Sequence, residues 1–323
     1  MLFNKNNNGI EELQKYITSL YSSTKWGEIK TDVELAEEEI KKVIGNEVFN
    51  TAQAHYDSPA YNPDGNTVLD NLVFQIQMPT SFLAFFEFTK ANDVSHESTG
   101  RKIKIDVNNE KIPFEWMLDR DDATILRKAN KTFDRLIVFL DENEVETNWK
   151  DSDAQKLARS LFVNTAKQFD EYYPIDESRR FFLKVTPFIK KLERKNLMPI
   201  LKDKYEPLKA AIVANNLTAD DEVLLTYILD FIVMETMALA LQRFAVQVIP
   251  EGVFQNEYQL STKSKKVAIK DVKDELMASL KADADKRFDD LNEYLKKLNT
   301  PTYTDEDISV LPINDIDNKY FRT

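Results

Sequence analysis

Cysteine is absent from the 323 residues, and histidine occurs only as His55 and His96. The first absence excludes disulfides and thiolate metal sites. The second leaves any all-protein zinc site dependent on carboxylates, which disfavours zinc catalysis. The six glycines, Gly9, Gly27, Gly45, Gly65, Gly100 and Gly252, are too scattered for a phosphate-cradling loop or a dinucleotide fingerprint, so nucleotide hydrolysis is disfavoured too. The longest apolar stretch, Val223 to Ile249, is interrupted by Asp230, Glu235 and Arg243, and reads as a helix buried in protein rather than a membrane span. "MLFNKNNNGIEEL" offers no apolar run long enough for a signal peptide, so the expectation is a cytosolic protein with no membrane partner. A net charge of -12 argues against specific nucleic-acid binding, which needs a basic face. The short basic clusters "STKSKK" (261–266) and "IKKLERK" (189–195) read as solvated helix faces and loop ends.

What is present is ample core material, 42% apolar residues with 20 Phe and 12 Tyr, on a chain long enough for two cores of roughly 150 residues each. The chain writes one helix twice. "KTFDRLIVFL" at 131–140 returns as "KRFDDLNEYL" at 286–295, and Ile125, Ala129, Phe133, Leu136 and Leu140 share their spacing with Leu280, Ala284, Phe288, Leu291 and Leu295. That spacing is one stripe of an α-helix. Upstream, Ile103, Ile105 and Val107, the pair Asn108 and Asn109, and then Ile112 read as a β-hairpin, as do Tyr258, Leu260, Val267 and Ile269 in the second copy. "EIKKVIG" at 39–45 resembles "FIKKLER" at 188–194. Apolar helices are expected over about Leu69–Lys90, with Pro79 a kink or break, and over about Val223–Val248, each released near Gly100 or Gly252. Leading helices are expected over about Ile10–Tyr21 and 154–173. The fold class is therefore mainly α. Tandem helical-bundle domains occupy 1–150 and 151–298, each with a short hairpin, followed by an extended tail over 299–323.

Few residues suggest chemistry. "DRDDATILRKAN" at 119–130 opens like a calcium loop, but Thr124 stands where glycine is needed and Asn130 where a bidentate Glu is needed. Acidic residues at a helix start, stabilised by its dipole, explain it better. His96 beside Glu97 reads as a loop histidine, and His55 is assigned no role. Asp230 and Glu235 on an apolar helix need partners such as Arg243 or a neighbouring subunit. Arg179 and Arg180 follow Ser178, a suitable N-cap, and oppose the helix dipole unless they meet acidic groups on another helix or subunit. In the tail, Ile308, Val310, Leu311, Ile313, Tyr320 and Phe321 gain nothing if solvated. With the two arginines they form the candidate interface. No catalytic, cofactor-binding or metal-binding residue is assigned.

The succession "AEEEIKKVIG", "VSHESTGRKI", "IPFEWMLDRDDATILRKANKTFDRLIVFLDEN" and "ARSLFVNTAKQFDEYYPIDESRRFFLKVTPFIKKLE" covers most of the chain. It resembles a family of virion proteins from phages and prophages of Bacteroidetes, crAss-like phages included, whose helical layout is similar to head–tail connector adaptors. The resemblance implies a structural protein of the virion, assembled in the bacterial host cytoplasm as a homo-oligomer, a dodecameric ring, in contact with portal and with tail or neck proteins. It implies no enzymatic activity, and DNA would pass through the lumen without being gripped. The alternatives are a cytosolic helical scaffold for protein–protein binding, or a carboxylate-metal enzyme using Asp119, Asp121 and Asp122.

Overall fold

The computed structural model describes residues 1–21, 23–97, 100–102, 113–244, 246–249, 252–255 and 270–299. It is mainly helical and carries the same layout twice. The first copy comprises α1 (Gly9–Gln14), α2 (Trp26–Ile44), α3 (Asn46–Asp57), α4 (Val68–Asn92) and α5 (Glu115–Glu142). A connection containing α6 (Asp153–Arg159) leads to the second, which comprises α7 (Ala166–Asp170), α8 (Arg179–Leu192), α9 (Met198–Leu201), α10 (Tyr205–Val213), α11 (Ala219–Phe244) and α12 (Lys270–Asn299). Buried apolar side chains from Leu2 to Trp149 form one core, and those from Ala158 to Leu295 form another.

At the centre of each copy lies a helix apolar on nearly every face, which must be surrounded by protein to exist in water. Leu72, Ile76, Thr80, Ala84 and Phe88 of α4 are buried, and so are their counterparts Leu224, Ile228, Ile232, Thr236 and Ala240 of α11. Both helices start with the same device. The Thr67 hydroxyl accepts the Asp70 N–H (3.1 Å) and donates to its carboxylate (2.5 Å), as Thr218 does with Asp221 (3.2 and 2.7 Å). α11 is long and apolar enough to cross a bilayer by length and composition; here it is the core helix of the second copy.

The closing helices α5 and α12 pack along α4 and α11. Ile125, Ala129, Phe133, Leu136 and Leu140 are all buried. In α12, Leu280, Ala284, Leu291 and Leu295 are buried, while Phe288 is half-buried. The likeness of "EIKKVIG" to "FIKKLER" places Ile40 opposite Ile189, both fully buried, and Tyr56 opposite Tyr205, both in the core. Between them the copies differ. Gly45, at φ 86, breaks α2 from α3, whereas a π-helical turn (Glu193–Leu197) joins α8 to α9.

Several expectations need correction. The hairpins expected over 103–112 and 258–269 lie outside the described residues. Short antiparallel pairs sit upstream of them: β1 (Ser95–Glu97) with β2 (Gly100–Lys102), and β3 (Val246–Ile249) with β4 (Gly252–Gln255). Gly100 and Gly252 open β2 and β4 rather than releasing the preceding helix. The expected leading helices are shorter, because α1 ends at Gln14 and the second is interrupted after Arg159 so that Leu161, Phe162 and Val163 can enter the core. Leu2 and Phe3 are buried in the same manner.

Pro79 does not break α4. Proline supplies no N–H to the carbonyl four residues back, but hydroxyls of the neighbouring Thr80 and Ser81 donate to Ile76 O (2.7 Å) and Gln77 O (2.8 Å) and support the turn from outside. At Pro187 the repair is direct. The Thr186 hydroxyl donates to Leu183 O (2.8 Å), the carbonyl that Pro187 leaves without its helical partner.

Candidate functional site

The densest polar arrangement joins the two copies, where α8 crosses α5. Ser178 caps α8 by accepting the Phe181 N–H (3.2 Å). Asp134 of α5 reinforces that cap, accepting the Arg180 N–H (2.8 Å) and the Ser178 hydroxyl (3.1 Å). A carboxylate at a helix N-terminus also meets the positive end of its dipole. The Arg180 guanidinium donates to Asn130 and lies 4.8 Å from the Phe133 ring centre, where cation–π attraction adds to burial. Arg179 approaches Asp141 at 3.3 Å. The carboxylate partner that the dipole argument demanded is thus another helix of the same chain.

Beside this crossing lies a cavity of about 330 Å³ lined by Asp141, Glu144, Trp149, Gln155, Arg159 and Arg179, among others. Asp141 accepts the Trp149 indole N–H (2.8 Å), and Glu144 accepts Gln155 (3.1 Å) and pairs with Arg159. Burial pushes the Asp141 carboxyl above its ordinary value, while the Trp149 hydrogen bond and Arg179 oppose that rise. Each of these carboxylates already serves a structural donor, so the cavity presents no base poised over a nucleophile. The chemistry available here is clamping, which fixes one copy against the other.

Three further polar clusters were not expected from the sequence. Glu193, 1% exposed at the start of the π turn, accepts the Phe162 N–H (2.6 Å), Tyr205 (3.1 Å) and Lys209 (2.7 Å). Glu37 holds the Leu2 N–H in the same way (2.6 Å). Burial raises both carboxyls. The only signal for either was an acidic residue on an apolar helical stripe. Asp70 is buried and accepts His55 (2.8 Å) and the Asn62 N–H (2.9 Å), pinning the connection between α3 and α4. Its burial favours the neutral acid, but these bonds and that of Thr67 outweigh it and hold the carboxyl at about 2. His55 therefore has a structural partner where none was assigned.

The remaining candidates are dispersed. Asp230 pairs with Arg287 (2.6 Å) and Glu235 with Lys281 (2.9 Å), both cations belonging to α12; Arg243 is not the partner. Asp119, Asp121 and Asp122 lie beyond the first turn of α5, where the dipole contributes little. Among the described residues, no three His, Asp or Glu converge as a metal site. His96 and Glu97 lie on β1. Ile308, Val310, Leu311, Ile313, Tyr320 and Phe321 lie outside the described residues.

No curated protein and no solved structure matches the chain. A family model described as a family of unknown function, DUF6712, matches twice, over 40–159 and 189–309, each match opening on one of the paired isoleucines, Ile40 and Ile189. The chain therefore belongs to the DUF6712 family and carries that family's module in duplicate.

Proposed function

We propose that this protein is a structural component of a phage virion, a head–tail connector or neck adaptor that assembles as a ring, dodecameric in the simplest case, against portal and tail proteins. The observation that carries this reading is exposed apolar surface on a helical scaffold. Phe114, Trp116 and Met117, at the start of α5, are 67%, 47% and 38% exposed. Adjacent large apolar groups in solvent are what protein–protein contacts bury. The polar side chains described above bind helix to helix instead of gathering around a substrate. Tyr320 and Phe321, at the end of the tail, add contacts between subunits without any single strong site. The acidic chain does not hold passing DNA.

Light scattering of the full chain, alone and mixed with the portal protein of the same genome, tests the proposal. A discrete high-order assembly is expected with portal present, and Trp116→Glu should abolish it while leaving the circular dichroism unchanged. A monomer or dimer under both conditions would support a scaffold and refute the ring.

A further inference from the structure

The second copy carries a groove of about 680 Å³ between α8 and α10 that has no role in the clamp between copies beyond sharing Arg159. Its walls are apolar, with Leu161 buried at the bottom and Met198 and Val213 exposed at 44% and 82%. Its rim carries Arg159, Lys190, Arg194 and Lys209; Arg159 pairs with Glu144 and Lys209 with the buried Glu193, and Glu206 is the exposed carboxylate of the lining. Neither Lys190 nor Arg194 has an ion-pair partner among the described residues. On a chain with a net charge of -12, two cations without ion-pair partners beside apolar walls are the complement of an acidic segment with an apolar centre.

The chain contains such a segment. "DEDISVLPINDID", 305–317, places Ile308, Val310, Leu311 and Ile313 between Asp305, Glu306 and Asp307 on one side and Asp315 and Asp317 on the other, with no Lys or Arg. It is also within reach. Near the end of α12, Tyr294 stacks on Tyr227 (5.0 Å) and its hydroxyl meets Asp220 O at 3.4 Å. Asp220 lies six residues beyond Ala214 of the groove, at most about 20 Å away, and the nine residues from 300 to 308 span up to about 30 Å.

We infer that residues 305–317 fold back onto the second copy of their own chain, seating their aliphatic centre in this groove and their carboxylates on its basic rim. The inference does not depend on ring assembly. The absence of native cysteine makes a clean test available in the full chain. With Val213→Cys and Leu311→Cys together, mild oxidation should give an intramolecular disulfide in high yield. Leu311→Cys with Leu35→Cys, an exposed site on the first copy, should give little. Adding Lys190→Glu and Arg194→Glu should slow the Val213–Leu311 cross-link roughly tenfold, as loss of a few rim ion pairs implies, with helicity unchanged. Cross-linking no faster than the Leu35 control would overturn the inference. So would a product that is mainly a disulfide-linked dimer, which would place a second copy's tail in the groove. Charge reversal without effect on the rate would overturn the assignment of the rim.

Discussion

Phe133→Ala and Phe288→Ala alter matching positions of a duplicated helix, yet they should differ in cost. Phe133 is 1% exposed and roofed by Arg180 from the other copy. Removing a fully enclosed phenyl ring costs about 3 to 5 kcal/mol in lost transfer energy and residual cavity. Phe288 is half-buried, its ring 4.9 Å from that of Phe231. Scaling by buried area gives roughly half as much. The protein supplies its own probe, because its three tryptophans, Trp26, Trp116 and Trp149, all belong to the first copy and Trp149 is fully buried. In urea, with a slope of about 2 kcal/mol/M for a unit of this size, Phe133→Ala should lower the fluorescence midpoint by about 2 M. Phe288→Ala should leave fluorescence nearly in place and move only part of the far-ultraviolet dichroism, by about 1 M. Equal fluorescence shifts for the two variants would refute this asymmetry and show that the two cores unfold as one.

Asp134→Ala removes the reinforcement of the α8 cap and the anchor of Arg180, and should destabilise the protein by about 1 to 2 kcal/mol, whereas Asp289→Ala, at the exposed matching position, should change its melting by less than about 0.5 kcal/mol. Asp70 is held at about 2 when folded, against an ordinary 3.8, so its stabilising bonds are intact above about pH 4 and are lost as pH falls toward 2. Denaturation midpoints measured across that window should fall for the native chain and much less for Asp70→Asn; parallel curves would remove Asp70 from the acid response.

Periodicity revealed the duplication because burial is written into spacing. The stripe of α5 and its repeat in α12 follow from apolar residues three and four apart, and Ser178 marked the start of α8 through the preference of N-caps for hydroxyls. Partners were harder to see. Asp134 recurs as Asp289, but nothing local says that one caps a distant helix while the other faces solvent. Arg243 was a reasonable partner for Asp230 by proximity along the chain, yet Arg287 is nearer in space because α12 lies along α11. Glu193 and Lys209 are 16 residues apart and meet only because the π turn and α10 fold back on each other. Pro79 misled for a related reason, since burial of α4 on nearly every face holds the helix together across the one missing backbone bond, with the Thr80 and Ser81 hydroxyls bracing the neighbouring carbonyls.

Among the described residues, the crossing of α5 and α8 has no equivalent at the outer ends of the pair. Where α5 offers buried Ile137, α12 has Asn292; where α8 offers Leu183, touching both cores, α2 has Glu34, half-exposed and paired with Lys30. The two termini of the tandem have thus lost the greasy joint that binds its middle. A third module joined through these same faces would meet polar Asn292 and charged Glu34 where the inner joint has Ile137 and Leu183, and would gain none of the apolar burial that holds the two copies together.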